Sequence, residues 1–310
     1  MTKIGIVGAG LIGRAWAIVF ARAGFDVALW DGNADALNAS LGTVRERLDD
    51  LKKAGLVADP AAVLARIAPR ATLREALAGV DYVQENLPET VEIKQAIFAE
   101  MDAIAGPDAV LASSTSSIRA SAFTEKLRGR ARCLVAHPVN PPYLVPVVEL
   151  CGAPWTAPET VAKARALMDK AGQVPVTVQR EVQGFILNRL QGALLNEAFR
   201  LVEDGYVTVD DLDRTIAHGL GLRWSFMGPF ETIDLNAPGG VRDYCERYGP
   251  MYHDMARQQA DPRSWKGMVD RVEAERSKSL PRAQLAERQI WRDRRLMALA
   301  AHKRKMQEAD

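Results

Sequence analysis

His137 and Glu149 are the two side chains whose types and spacing most favour acid–base chemistry. His137 ends an apolar run, and Glu149 follows 12 residues later, after a proline-rich turn that could bring a returning strand beside the first. An imidazole can take the proton of an alcohol when a carboxylate holds its tautomer and stabilises its protonated form. The pair therefore predicts a base for alcohol oxidation. A histidine that only makes a hydrogen bond within the core is the alternative, and the residues alone leave both open.

A second group of residues has the spacing of a dinucleotide-binding loop. Gly8, Gly10 and Gly13 form Gly-x-Gly-x-x-Gly between a strand-like run and a helical run, with Leu11 and Ile12 before the last glycine. In such a loop the first glycine permits a tight turn, the second lets the backbone approach a pyrophosphate, and the third lets helix and strand pack closely. The helix N-terminus then faces the phosphate charge. We therefore predict that these five residues bind a dinucleotide.

Asp31 discriminates among the dinucleotides. It ends the second strand-like run, 18 residues after Gly13, where a carboxylate can bond both ribose hydroxyls of an adenosine. The same carboxylate would repel a 2′-phosphate, and Gly32 and Asn33 follow it rather than an arginine, so NAD is favoured over NADP. Two alternatives stay open: FAD, which uses the same turn, and a loop that only tightens the fold, with Asp31 as a helix cap.

The elements that must position these residues alternate along the first half of the chain. Short β-rich runs alternate with helical periodicities, a pattern typical of a parallel sheet covered by helices on both faces. We therefore predict an α/β fold with an N-terminal Rossmann doubly wound sheet and a C-terminal all-helical domain. The expected strands are Lys3–Val7, Asp26–Trp30, Ile67–Ala71, Asp81–Gln84, Ala109–Ser113, Arg132–Ala136, Val145–Leu150 and Val174–Val178.

The strand pattern disappears beyond residue 184, and only helical periodicity remains. We therefore expect an NAD-binding Rossmann domain over 1–182 and a helical domain for substrate binding and dimerisation over 183–310, with substrate in the cleft between them. Thr156 and Glu159 are expected to form a capping box. The expected helices are Ile12–Ala23, Ala34–Ala54, Val91–Ala105, one opened by Thr156, Phe185–Asp204, one opened by Thr208 with Asp211, Phe230–Arg257, Trp265–Ser277 and Arg282–Lys305.

The composition favours a small-molecule partner. Lys and Arg number 40 against 39 Asp and Glu, so no strong field attracts nucleic acid or an anionic membrane. No stretch approaches the ~18–20 apolar residues that a membrane span needs. Cys133, Cys151 and Cys245 are odd in number and lack the spacing of metal ligands, so reduced thiols, no metal site and a cytoplasmic location are expected.

These motifs together resemble the 3-hydroxyacyl-CoA dehydrogenase family over essentially the whole chain. Besides the glycine loop, the chain contains further motifs of the family in the same order. They are ENLPETVEIK, SSTSSI, HPVNP with the glutamate twelve residues on, GFILNRL and MGPFE. Within the family the chain most resembles the lambda-crystallin branch, similar to L-gulonate 3-dehydrogenase, through AHPVNPPYLVPVVEL, GLGLRWSFMGPFE and AERQIWRDRRLM. The resemblance implies NAD as cofactor and a homodimer formed through the helical domain.

The resemblance also implies a role for individual residues of the site. His137 is similar to the family's catalytic base and Glu149 to the acid that orients it. Ser116 and Asn188 match residues that bond the reacting oxygen, and Ser116 also lies near the nicotinamide in the family. The remaining matches are on the cofactor side, where Asp31 corresponds to the ribose-binding acid; they are Asp31, Glu89, Lys94 and Asn140.

One departure from the family concerns the substrate. Members that use acyl-CoA often end in a Gly-x-Gly-Phe-Tyr-like segment, whereas this chain continues into a charged helix around Trp291. Arg223 is a candidate ligand for a free carboxylate because its fork can bond both oxygens, with a helix-end salt bridge as the alternative.

The expected function is NAD-dependent oxidation of the 3-hydroxyl of a small hydroxy acid, with L-gulonate to 3-dehydro-L-gulonate as first choice. A dehydrogenase of 3-hydroxybutyryl-CoA and one of carnitine-like acids are the enzymatic alternatives. A non-catalytic, crystallin-like protein that binds NAD is the alternative of another class. Such a protein would have no need of His137, Glu149, Ser116 and Asn188 together, so the sequence favours an enzyme.

Overall fold

The computed structural model describes residues 2–261 and 263–307. The chain divides into two compact units, with boundaries after Asn188 and after Arg288. The first unit joins the N-terminal part of the chain to the last helix, and the second unit is Arg189–Arg288. This differs from the expected grouping of 183–310 into one helical domain, because the last helix belongs to the first unit.

An eight-stranded sheet is the frame of the first unit. Its strand order is β3-β2-β1-β4-β5-β6-β7-β8, with β1 to β6 parallel and the pair β7 and β8 running antiparallel to β6. The order reverses between β1 and β4, which is where open α/β sheets bind ligands. The predicted α/β class with a doubly wound N-terminal sheet is confirmed. The strands are β1 Lys3–Val7, β2 Asp26–Trp30, β3 Ile67–Pro69, β4 Tyr82–Glu85, β5 Val110–Ser113, β6 Cys133–Pro138, β7 Val147–Gly152 and β8 Val174–Val178.

Helices cover both faces of this sheet. Alternate side chains of each strand point to opposite faces, so Ile4 and Ile6 pack in one core cluster and Val7 in the other. The first cluster includes side chains of the helices Leu11–Arg22, Ala34–Lys53, Pro158–Lys170 and Leu285–Gln307. The second includes side chains of the helices Leu73–Ala76, Val91–Ile104 and Ala120–Thr124. The helices of the first half are α1 Leu11–Arg22, α2 Ala34–Lys53, α3 Pro60–Leu64, α4 Leu73–Ala76, α5 Val91–Ile104, α6 Ala120–Thr124 and α7 Pro158–Lys170.

The second half of the described chain is helical, as its periodicity predicts. The expected helix Phe230–Arg257 is in fact two helices, because Pro238 and Gly239 interrupt the pattern before α12 begins. Thr208 caps α9 by accepting a hydrogen bond from the amide of Asp211, as expected. These helices are α8 Leu187–Glu203, α9 Val209–Thr215, α10 Gly221–Trp224, α11 Pro229–Leu235, α12 Gly240–Gln258, α13 Val269–Ser279 and α14 Leu285–Gln307.

The predicted capping box of α7 is wrong. Ala157 precedes the helix without any side-chain cap, and Pro158 opens it. The Thr156 hydroxyl instead donates to the Cys133 carbonyl at 2.6 Å and accepts from the Ala153 amide at 2.8 Å. A tertiary contact to β6 therefore replaces the local cap that the sequence suggests.

The second unit has a small apolar core. Its buried cluster consists of Val202, Val209 and Met268. Large apolar side chains stay exposed on its short helices and the turns between them, including Phe226 and Phe230, which are 69% and 77% exposed. Apolar surface of this extent usually marks an interaction site.

No helix in the described part of the chain has the length and apolar content needed to cross a membrane.

Candidate active site

Two antiparallel strands bring His137 and Glu149 together. The register of β6 and β7 pairs these residues directly, so both side chains leave the same face of the sheet. His137 Nδ1 lies 2.8 Å from Glu149 Oε2, and both residues are buried. The turn between the strands therefore brings the returning strand beside the first, as its proline-rich sequence suggested.

Glu149 also anchors the start of α8. Its second oxygen, Oε1, accepts hydrogen bonds from the amides of Ile186 at 2.7 Å and Leu187 at 2.9 Å. Phe185, which precedes them, has a positive φ of 50° and is fully buried, with its ring centroid 5.6 Å from that of His137. One carboxylate therefore binds the histidine and the backbone amides directly before Asn188.

The charge state of Glu149 determines the tautomer of His137. Burial alone would raise the pKa of Glu149, but the hydrogen bonds from His137 and from the amides of Leu187 and Ile186 together lower it below its ordinary value. An ionised carboxylate can only accept, so His137 Nδ1 carries the proton and donates it to Glu149. The lone pair is then on Nε2, the nitrogen free to act as a base.

Ser116 and Asn188 meet beside this pair in the first unit. Asn188 Nδ2 donates to the Ser116 carbonyl at 2.8 Å. Glu89 holds the same loop, because its Oε1 accepts from the amides of Ser116 at 2.9 Å and Ser117 at 3.1 Å and from the Thr115 hydroxyl. The structure thus brings together three of the residues that the family resemblance nominated.

Lys94 is buried and forms an ion pair with Glu85. Its side chain is 1% exposed, and Nζ lies 3.0 and 3.2 Å from the two oxygens of Glu85. Glu89 Oε2 lies 3.8 Å from the same ammonium. Sequence reasoning did not identify Glu85, although a glutamate within the otherwise uncharged strand β4 is a signal that could have found it.

The glycine loop has the geometry that a pyrophosphate cradle requires. Gly8 has a φ of 94°, and an added Cβ would lie 3.0 Å from the Asn86 carbonyl oxygen. A Cβ on Gly13 would lie 1.8 Å from the Gly8 carbonyl oxygen, so α1 packs against the turn too closely for any side chain. At Gly10 no protein atom lies within 4 Å of the corresponding position, which leaves that side of the loop open. These residues fit a bound dinucleotide.

Asp31 lies beside this loop at the end of β2. Its Oδ2 accepts from the Ala9 amide at 2.7 Å and its Oδ1 from the Asn33 amide at 2.8 Å. The side chain that caps α2 is Asn33, which accepts from the amides of Asp35 and Ala36. The helix-cap interpretation of Asp31 is therefore wrong, and its carboxylate lies against the glycine loop.

The other residues that the sequence predicts for the site lie in different parts of the fold. Leu11 is 61% exposed at the start of α1, and Ile12 packs against the core. Asn140 is exposed in the segment after β6, on the same edge of the sheet as His137. Arg223 is exposed on α10 in the second unit. Among the described residues, no group of His, Cys, Asp and Glu side chains could hold a metal ion.

The first-unit candidates share one edge of the sheet. Parallel strands β1, β2, β4, β5 and β6 end at this edge, and each is followed by a nominated side chain or turn. Ligands of open α/β sheets lie at the carboxyl ends of the strands. A dinucleotide along the edge would meet the glycine loop and Asp31 with one half and the Ser116 and His137 region with the other.

Two family descriptions match consecutive parts of the chain. The NAD binding domain of 3-hydroxyacyl-CoA dehydrogenase matches residues 3–182, and the C-terminal domain of 3-hydroxyacyl-CoA dehydrogenase matches residues 184–280.

Similar proteins match over most of their own length. A lambda-crystallin homolog of Homo sapiens is 42% identical over 97% of this chain and 96% of its own. An L-carnitine dehydrogenase of Pseudomonas sp. is 36% identical over 94% and 91%. Among solved structures, 5-formyl-3-hydroxy-2-methylpyridine 4-carboxylic acid 5-dehydrogenase, an NAD+ dependent dismutase, has a TM-score of 0.74 and 31% identity, covering 82% of this chain and 81% of that chain.

Proposed function

The chain belongs to the 3-hydroxyacyl-CoA dehydrogenase family, and from that premise we propose that it oxidises the 3-hydroxyl of a small free hydroxy acid, with L-gulonate as the first candidate. NAD is the family's cofactor, and the family's reaction is oxidation or reduction at a CH–OH group. The observation that carries the proposal is the 2.8 Å contact between His137 Nδ1 and Glu149 Oε2.

His137 takes the proton in the proposed reaction. Glu149 holds Nδ1 protonated, so Nε2 accepts the proton of the substrate hydroxyl and the ring becomes an imidazolium. The adjacent carboxylate stabilises this positive charge. When bound, NAD supplies the acceptor for the hydride that leaves C3. The residues that would hold it are the glycine loop, Asp31, Glu89, Ser116 and Asn140.

Ser116 and Asn188 orient the reacting oxygen in this proposal. The Asn188 side-chain amide donates to the Ser116 main-chain carbonyl, so the Asn188 side chain is fixed relative to the backbone that carries the Ser116 hydroxyl. Donors placed in advance around a developing carbonyl oxygen lower the barrier without reorganising during the reaction. The Ser116 hydroxyl and the Asn188 side chain are suited to that task.

The substrate proposal rests on similarity and on one arginine. The 42% identity to a lambda-crystallin homolog and the motifs shared with L-gulonate 3-dehydrogenase favour L-gulonate, and Arg223 would bind its carboxylate. The 36% identity to an L-carnitine dehydrogenase makes L-carnitine the second candidate. 3-Hydroxybutyryl-CoA follows from the family itself.

A parallel substrate screen tests the proposal. NADH formation is measured with L-gulonate, L-carnitine, 3-hydroxybutyrate and 3-hydroxybutyryl-CoA at equal concentrations, and the highest kcat/KM is expected for L-gulonate. A clear preference for the thioester would reverse the substrate proposal. NADH binding without turnover of any of the four would favour the non-catalytic alternative. Arg223→Gln should raise KM for the free acid, whereas Arg242→Gln, an exposed arginine of the same unit, should not.

We further propose a homodimer formed through the second unit. The exposed apolar side chains there, including Phe226 and Phe230, would be covered by a second copy. Analytical ultracentrifugation should give twice the chain mass, and Phe226→Glu with Phe230→Glu should give the mass of one chain. A wild-type monomer would contradict the proposal.

The three free cysteines, two of them buried, support our proposal of a cytoplasmic location, which cell fractionation tests.

A further inference from the structure

We propose that Glu85 and Lys94 are a positioning pair that, through Glu89, holds the loop of residues 115–117 in the form that receives the nicotinamide half of NAD. This rests on the proposed function in one respect, namely that Ser116 lies near the nicotinamide. It adds Glu85, which no motif indicated, and it gives Lys94 a positioning role through its contacts with Glu85 and Glu89.

The pair is enclosed by hydrogen bonds within the core. Glu85 Oε1 accepts from the Leu87 amide at 2.5 Å and from Lys94, and Oε2 accepts from the Ser113 hydroxyl at 2.5 Å and from Lys94. Glu85 is fully buried and Lys94 is 1% exposed. The two side chains thus join β4, β5 and α5.

Two chains of polar contacts connect the Glu85–Lys94 pair with the loop of residues 115–117. Lys94 attracts Glu89 Oε2 from 3.8 Å, while Glu89 Oε1 accepts from the amides of Ser116 and Ser117. On the other route, Ser113 donates to Glu85 and accepts from the Thr115 amide at 3.2 Å. The loop is held from both sides by groups whose orientation depends on one buried ion pair.

Stability by itself does not explain a buried ion pair. Removing two charges from water is costly, and an apolar pair of similar volume is often as stable or more so. A pair that orients other polar groups has a property that apolar residues cannot supply. The hydrogen bonds that Leu87 and Ser113 donate to Glu85, and the 3.8 Å ion pair of Lys94 with Glu89, require charged or polar atoms. The contacts of Glu85 and Lys94 therefore favour a positioning role.

A charge-balanced double variant separates position from folding. Lys94→Met alone leaves Glu85 as an unpaired buried charge and should lower the melting temperature, whereas Glu85→Gln with Lys94→Met leaves no unpaired charge and should restore it. The double variant nonetheless lacks the ammonium that holds Glu89. Glu92→Gln, an exposed acid two residues earlier on α5, is the matched control and should behave as the wild type.

The readout compares two ligands that differ in the nicotinamide. ADP-ribose engages the glycine loop and Asp31, whereas NADH also engages the region of Ser116. In the double variant we expect NADH to bind roughly tenfold more weakly, while ADP-ribose binds within about twofold of the wild type. Equal weakening of both ligands, or wild-type affinity for both, overturns the proposal.

A milder variant provides the answer if the double variant does not fold. Ser113→Ala removes one hydroxyl and with it the route from Glu85 to the Thr115 amide. A selective loss of NADH affinity, about threefold, supports the proposal, and wild-type NADH affinity overturns it. These measurements need no hydroxy acid. A failed substrate screen would therefore refute the proposed substrate while leaving this test unaffected.

Discussion

At the scale of single residues, the site depends on which groups can only accept hydrogen bonds and which can also donate them. Glu149 is buried yet has a lowered pKa, because hydrogen bonds from His137, Leu187 and Ile186 outweigh the cost of burial. It therefore stays an acceptor near neutral pH. That fixes one tautomer of His137 and leaves the lone pair on Nε2.

Replacing either member of the pair should impair turnover in a characteristic way. His137→Asn removes the base and should lower kcat by roughly 10²–10⁴-fold with nearly unchanged NAD affinity. Glu149→Gln places an amide donor opposite Nδ1 and so favours the tautomer protonated on Nε2, which cannot accept a proton; a similarly large loss of kcat is expected. Steady-state kinetics and NADH titration measure both effects. Unchanged turnover in His137→Asn would remove this residue from the mechanism.

The lowered pKa of Glu149 also predicts how its contribution to stability depends on pH. Above the ordinary value of 4.5, the carboxylate is ionised in both the folded and the unfolded chain, so the full stabilisation is present. As the pH falls below this value toward the lowered folded pKa, the unfolded chain takes up the proton first and the stabilisation is lost.

Melting curves of the wild type and Glu149→Gln, recorded between about pH 7 and pH 3.5, test this dependence. The difference in melting temperature should be constant at the upper end of this range and shrink below pH 4.5. The other acids are common to both proteins and cancel in the difference. A difference that grows on acidification would contradict the assigned direction of the pKa shift.

At the scale of elements, the glycine loop shows how one short motif serves two separate requirements. Gly13 is required by the fold, because α1 approaches the turn at a distance that excludes a Cβ. Gly10 meets no protein atom and is open on the side that a pyrophosphate would approach. The two glycines therefore differ in what a methyl group would disturb.

Gly10→Ala and Gly13→Ala should separate these requirements. Gly13→Ala forces a shift between α1 and the turn and should destabilise the fold by about 1–3 kcal/mol. Gly10→Ala should change stability by no more than about 1 kcal/mol, since only the residue before α1 is altered, but should weaken NAD binding at least about tenfold. Thermal melting and NADH titration measure both. Equal loss of stability in the two variants would contradict this division.

At the scale of the whole molecule, helix α14 packs in the same core as the N-terminal strands. Met297 on α14 is 3% exposed and packs in the same core cluster as Ile4 and Trp16. Tyr143 lies in this cluster as well, and burial, followed by the negative charge of Asp293 on α14, raises its pKa to about 12. The last helix is thus part of the core of the first unit, next to the segment that links β6 and β7.

Truncating Met297 should therefore destabilise the N-terminal unit. Met297→Ala should cost about 2–5 kcal/mol, the usual range for removing a buried side chain of this size. Met306→Ala is the control on the same helix, since this methionine is 52% exposed, and a change within about 0.5 kcal/mol is expected. Chemical denaturation measures both. Equal effects in the two variants would show that α14 does not contribute to the core as described.

Local patterns in the sequence determined much of the fold and of the cofactor loop. Strand and helix periodicity located all eight strands and the long helices, because side-chain alternation depends on neighbours in the chain. The glycine spacing and Asp31 predict a dinucleotide loop for the same reason. His137 and Glu149 were predicted because one short turn pairs two adjacent strands, so their meeting is almost a local event.

Only the tertiary structure decided the contacts between distant segments. Thr156 bonds β6 instead of capping α7, α14 joins the N-terminal core, and Glu85 holds Lys94 away from the surface. Each of these depends on which groups lie across a sheet or between packed layers. A residue's own neighbours in sequence carry no record of those partners, because burial and ion pairing are set by the whole packed fold rather than by the chain nearby.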